Sequence, residues 1–177
     1  MRIAVTGTPG TGKTTATELL ASRLDDDEHP DLEAVHLNTV LEEEGLYTEV
    51  DADRESKVAD LDALESWLEG REDVLIESHL AHHFDADRVA VLRCAPETLE
   101  KRLRERGETE AKAAENAESE ALDVILAEAA EEHGLESIYE IDTTDRDPEA
   151  VADALEAVVT GDREPSAGEV DFVGYLE

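Results

Sequence analysis

Ile3-Ala4-Val5-Thr6, followed at once by Gly7-Thr8-Pro9-Gly10-Thr11-Gly12-Lys13-Thr14, is the stretch that decides the fold. Four apolar or β-branched residues in a row read as a strand buried on both faces, the mark of a parallel sheet. The next eight residues fit G-x-x-x-x-G-K-[ST] at every fixed position, and Thr14–Leu24 then carries Leu19, Leu20 and Leu24 at helical spacing. Strand, glycine-rich turn and helix in that order are the context in which the pattern has a mechanism. Glycines bring backbone N–H groups close to phosphate oxygens, and the helix directs the positive end of its dipole at the anion. Lys13 places a charge by the β- and γ-phosphates of ATP, and the Thr14 hydroxyl is placed for Mg²⁺. Gly10, Thr11, Gly12, Lys13, Thr14 and Thr15 are the expected nucleotide contacts.

Outward from this loop, short apolar runs alternate with helical patterns, which predicts an α/β P-loop domain with a five-stranded parallel sheet flanked by helices. Strands are expected at Arg2–Thr6, Ala34–Leu37, Val74–Ser78, Arg88–Arg93 and Ser137–Ile141. Helices are expected at Thr14–Leu24, Val58–Leu68, Glu97–Arg106, Glu110–His133 and Asp147–Val159. Asp25–Asp31 reads as a surface loop, and the tail from Gly161 as a linker ending in apolar residues that dock on the body or on a partner.

The chain has 177 residues, 48 of them acidic and 15 basic, for a formal net charge of −33. Hydrophobic residues make up 40%, enough for one domain with a sizeable core. The acids are spread from Asp25 to Glu177 rather than gathered in a tail, so they read as a solvated surface. Such a surface repels itself in dilute salt, whereas molar salt shortens the Debye length to about 3 Å. A salt-rich cytoplasm follows as the expected setting. The charge excludes non-specific nucleic-acid binding, which needs clustered cations. Cys94 is the only cysteine, which suits a reducing compartment. No secretory leader and no apolar run long enough to span a membrane is read in the sequence.

A second site is expected where the strand Val74–Ile76 runs into Glu77-Ser78-His79, because ligands of α/β sheets bind beyond the carboxyl ends of strands. Glu77 is placed to hold Mg²⁺ through water, and His79 to orient a water or phosphate. His79, His82 and His83 do not match a zinc-enzyme pattern, and His82 and His83 read as loop or helix-start residues. Arg93, Lys101, Arg102, Arg104 and Arg106 concentrate positive charge in an acidic chain. Lys101 and Arg104 pair with Glu97 and Glu100 at i, i+4. Arg106, before the helix-breaking Gly107, is the preferred phosphate ligand, with Arg102 behind it.

These motifs resemble the adenylate kinase isoenzyme 6 family, the Fap-seven type, in its archaeal branch. The stretches that carry the resemblance are GTPGTGKTT at Gly7–Thr15, HLNTVLEEEGLY at His36–Tyr47, LIESHLAHH at Leu75–His83, VLRCAPETLEKRLRERG at Val91–Gly107 and the K-x-x-E-N of Lys112–Asn116. The resemblance implies an NMP-kinase core over residues 1–160, with an NMP-binding region at about 37–60, a lid at about 105–115 and a tail at 161–177. It implies a broad-specificity nucleoside monophosphate kinase using ATP and Mg²⁺, with intrinsic ATPase activity. It also implies a role in small ribosomal subunit maturation, with a platform ribosomal protein as partner. Eukaryotic relatives carry Asp where Glu77 stands, the lid lacks a four-cysteine zinc site, and only Arg146 is basic where some relatives place a lysine beside adenine. A ribosome-assembly ATPase with incidental kinase activity, another small-molecule kinase, and a non-enzymatic nucleotide sensor are the rival readings.

Overall fold

The computed structural model describes residues 1–25, 29–51 and 56–177. The sheet holds β1 (Arg2–Gly7), β2 (Glu33–His36), β5 (Val74–Glu77), β6 (Arg88–Arg93) and β7 (Ile138–Asp142), all parallel, in the order β2-β5-β1-β6-β7. β3 (Tyr47–Asp51) and β4 (Ser56–Ala59) form a separate antiparallel pair. The helices are α1 (Lys13–Arg23), α2 (Leu37–Glu43), α3 (Leu61–Leu68), α4 (Pro96–Glu105), α5 (Glu110–Ala121), α6 (Val124–His133) and α7 (Pro148–Thr160).

The unbroken apolar run in β1 is explained by two cores. Ile3 and Val5 pack with Leu20 of α1 and Leu155 and Val158 of α7, whereas Ala4 packs on the opposite face with Leu64, Phe84 and Leu126. Because successive strand residues face opposite ways, a strand covered on both sides has no polar positions to spare. From the central β1 the chain goes one way to β2 and β5 and the other way to β6 and β7. The carboxyl end of β1 is therefore the point where the winding reverses, and ligands of open α/β sheets sit at such a point. The loop after β1 occupies it.

Two expected helices differ in the structure. Val58, read as the start of a helix, lies in β4; α3 begins at Leu61, capped by Asp60 Oδ1, which accepts from Ala63 N at 3.0 Å. Val58 and Leu61 stand at helical spacing, but both are largely exposed, so the spacing reflects no buried face. The expected helix Glu110–His133 is two helices. Asp123, at φ 55, breaks it, and its carboxylate accepts from Arg93 Nη2 at 2.5 Å. Burial of Arg93 sets that break, a tertiary cause with no local sequence signal. Residues 26–28 of the expected Asp25–Asp31 loop lie outside the described residues.

The tail returns to the body. Ser166 N donates to Ile138 O at 2.8 Å and Glu169 N to Glu140 Oε2 at 2.7 Å. Tyr175 Oη donates to Glu100 Oε2 at 3.0 Å. Phe172 lies over the Arg93 guanidinium, 5.5 Å from carbon to ring centre.

Candidate active site

The glycines of the loop are each fixed by a different constraint. At Gly7, with φ 147, an added Cβ would meet Leu92 O at 2.5 Å. At Gly10, with φ 94, it would meet Leu99 Cδ1 of α4 at 2.9 Å. Gly12 takes a left-handed conformation at the start of α1, and α1 has neither a side-chain cap nor an acidic residue in its first turn. Its leading N–H groups and dipole are thus left for an anion. Thr11 shapes the turn from within: its hydroxyl donates to Thr8 O at 2.9 Å, and its own carbonyl accepts from Thr143 Oγ1 at 3.0 Å.

The loop floors an open cleft of about 1100 Å³. This exceeds the usual range of about 300–1,000 Å³ for a small-molecule pocket. Asn38 and Lys57 line it, as do Arg146 and Val151. Lys13 is buried, and among the described residues its Nζ donates to Thr8 O alone, at 3.2 Å. Burial lowers its pKa to about 8, against the opposing pull of Glu77. A buried ammonium beside bare helix N–H groups is a site built for a polyanion, since an isolated buried charge is costly unless paired.

Glu77 ends β5 next to the loop. Both of its oxygens lie 3.4 Å from Thr14 Oγ1, and Oε2 is 2.7 Å from His36 Nδ1. His79 lines the same cleft, and burial together with the Lys13 charge lowers its pKa to about 4. It is therefore neutral near pH 7.

Arg106 and Arg102 play different parts. Arg106 is exposed, lines the cleft, and is close enough to help depress the Lys13 pKa. Arg102 is committed to the scaffold: its Nη2 donates to Thr143 O at 3.1 Å and Thr144 O at 3.2 Å, and Nη1 reaches Gly10 O at 3.4 Å. Lys13, Thr14, Thr15, Glu77, His79 and Arg106 thus all border one cleft.

Two contributors were not singled out from sequence. His36 ends β2 directly beside Glu77 in the parallel register, and its position at a strand's carboxyl end was the available signal. Glu120 is buried, accepting from Thr8 Oγ1 at 2.6 Å, Arg93 Nε at 2.8 Å and Cys94 N at 3.0 Å. Among 48 acidic residues nothing marked it out.

A family model described as an AAA domain matches residues 3–123. A Natronomonas pharaonis protein named putative adenylate kinase is 61% identical over 176 residues, covering 99% of this chain and 100% of that protein. The chain belongs to this family. A Methanocaldococcus jannaschii protein of the same name is 38% identical over 159 residues, covering 88% of this chain and 84% of its own length. The fold is also that of shikimate kinase from Bacteroides thetaiotaomicron, with a TM-score of 0.62 at 20% identity, covering 90% of this chain and 98% of that one. No helix among the described residues is long and apolar enough to cross a membrane.

Proposed function

We propose that the chain transfers the γ-phosphoryl group of ATP to AMP or another nucleoside monophosphate, giving ADP and the nucleoside diphosphate. The observation that carries this reading is the convergence of Thr14 Oγ1 and the Glu77 carboxylate beside the buried Lys13. A hydroxyl and a carboxylate side by side are a hard oxygen donor set, which fits Mg²⁺ bound through water. Mg²⁺ held there supplies charge neutralisation on the β- and γ-phosphates.

The chain's own part is positioning and electrostatics. Gly10, Thr11, Gly12, Lys13, Thr14 and Thr15 bind the phosphate chain. His36 holds the Glu77 carboxylate in place. Neutral His79 hydrogen-bonds the attacking group or a phosphate oxygen, and Arg106 closes with the lid region at about 105–115 to oppose charge on the transferred group. The acceptor occupies the side of the cleft bordered by Asn38 and Lys57, in the NMP-binding region at about 37–60, of which residues 52–55 lie outside the described residues. The catalytic body is residues 1–160, with residues 161–177 a tail strapped across it.

Intrinsic ATP hydrolysis, a cytoplasmic setting, and a part in small ribosomal subunit maturation belong to the same proposal. A basic platform ribosomal protein is its partner, which the net charge of −33 supports. ADP formation measured with and without AMP in molar KCl tests the reading. Strong stimulation by AMP is expected; ADP formation indifferent to AMP would favour a plain ATPase.

A further inference from the structure

Away from the phosphate loop, the 3₁₀ turn Ala81–His83 packs against α6 and brings His82, His83 and Glu128 together. We propose that these three side chains form a binding site for a divalent transition-metal ion of the zinc class, with a fourth position open to water. One ligand atom from each lies within 4.8 Å of the others. His82 Nε2 is 2.8 Å from Glu128 Oε2, and His83 Nε2 is 3.9 Å from the same oxygen. Tetrahedral zinc with bonds near 2.0–2.1 Å separates its N and O donors by roughly 3.4 Å. The two observed separations bracket that value, each about half an ångström from it, and the His82 and His83 donors, within 4.8 Å of each other, would close to the same spacing around an ion.

The hydrogen bonds around the cluster orient it for an ion. His83 Nδ1 lies 2.7 Å from Glu132 Oε1. An ionised carboxylate only accepts, so Nδ1 carries the proton, and in the neutral ring Nε2 is a bare lone pair. In that tautomer the Nε2 lone pair and the Glu128 carboxylate, 3.9 Å apart, offer two donor atoms to a cation placed between them. His82 Nε2, 2.8 Å from Glu128 Oε2, donates to that carboxylate by the same rule, so an ion bound there replaces the Nε2 proton while Nδ1 takes a proton and donates it to Thr6 Oγ1, 2.7 Å away. Metal-ligating histidines have this arrangement, with the far nitrogen held by a carboxylate or other polar partner. His133 Nε2 adds a brace, 2.6 Å from His82 O.

The donor set also selects the ion. Two imidazoles and one carboxylate suit zinc and its neighbours, and not Mg²⁺, which takes oxygen ligands. His82 is buried, whereas the Glu128 side chain is 44% exposed, which gives the ion an entry path and the water position. The site would tie α6 to the turn that follows Glu77-Ser78-His79 and, through Thr6, to the residue before Gly7. A bound ion would therefore stiffen both strand ends that carry the phosphate site.

The test uses the full chain, stripped with chelator, in molar KCl with excess Mg²⁺ to suppress loose binding to the acidic surface. Cobalt(II) alone, and zinc alone in competition with it, are titrated and followed by visible absorption and calorimetry. One cobalt per chain with the intense bands of a tetrahedral site, displaced by zinc, is expected. His83→Ala and Glu128→Gln, both at partly exposed side chains, should each weaken binding at least tenfold while circular dichroism stays that of the parent. Weak octahedral bands, or variants that bind as the parent does, would overturn the site and leave the cluster as histidine–carboxylate pairing. Neither result bears on phosphoryl transfer.

Discussion

Arg93 is the largest fully buried side chain, and replacing it by Met should destabilise the fold severely. Its Nε donates to Glu120 Oε1 at 2.8 Å, Nη1 to Glu140 Oε1 at 2.6 Å, and Nη2 to Glu120 O at 3.1 Å and Asp123 Oδ1 at 2.5 Å. The Glu120 and Glu140 side chains are 3% and 0% exposed, so Met leaves two carboxylates in the interior without a counter-charge. Removing one partner of a buried ion pair costs about 3–5 kcal/mol. At roughly 2–4 °C per kcal/mol for a domain of this size, Tm should fall by roughly 10 °C. Thermal unfolding by circular dichroism in molar KCl measures it. The loss should persist as KCl is raised, because buried pairs are screened far less than exposed ones. Glu140 also holds the tail through Glu169 N and Val170 N, so the variant should become cleavable by trypsin at Arg163. Adding Glu140→Gln should restore part of the loss. A Tm within about 2 °C of the parent, against the 3–5 kcal/mol expected, would mean that Glu120 and Glu140 do not depend on Arg93 for their counter-charge.

Glu77→Gln keeps the shape of the side chain but removes the charge beside Thr14; turnover should fall by at least a hundredfold, on the order of one preorganised electrostatic group, while equilibrium dialysis finds ATP binding retained. Equal turnover would remove Glu77 from the site. Burial raises the Cys94 thiol to about 11. At pH 8 only about one thiol in a thousand is then ionised, so the folded protein should ignore a disulfide reagent that labels it fully once unfolded. Prompt labelling of the folded chain would contradict its burial. With a net charge of −33, Tm should climb steeply as KCl rises from about 0.1 to 1 M and the Debye length falls from about 10 to 3 Å; a flat Tm over that range would mean the acidic surface is not self-repelling.

The parts of the molecule that sequence reveals are those set by local chemistry. The apolar run of β1 and the glycines at 7, 10 and 12 announce a buried parallel strand and a phosphate loop, because each requirement is met within a few residues. β3 and β4 gave no such signal: Thr48, Glu49 and Val50 are all exposed, so no alternation marks the pair. The break at Asp123 comes from an arginine thirty residues earlier in the chain. In the site, Lys13, Thr14 and Glu77 were legible from motif and strand end. His36 and Glu120 were not, since each acts through a partner that only the sheet and α5 bring near. Arg102 was legible as a cation beside the loop but not as a clamp on carbonyl oxygens.

In the proposed reaction the cleft over Lys13 and Glu77 passes a phosphoryl group from one nucleotide to another. Incubating ATP labelled in the γ-phosphate with unlabelled AMP, in molar KCl with Mg²⁺, tests it most directly. Labelled ADP is expected as the main product, and none from the Lys13→Ala variant. Label recovered only as inorganic phosphate, with AMP left unchanged, would contradict it.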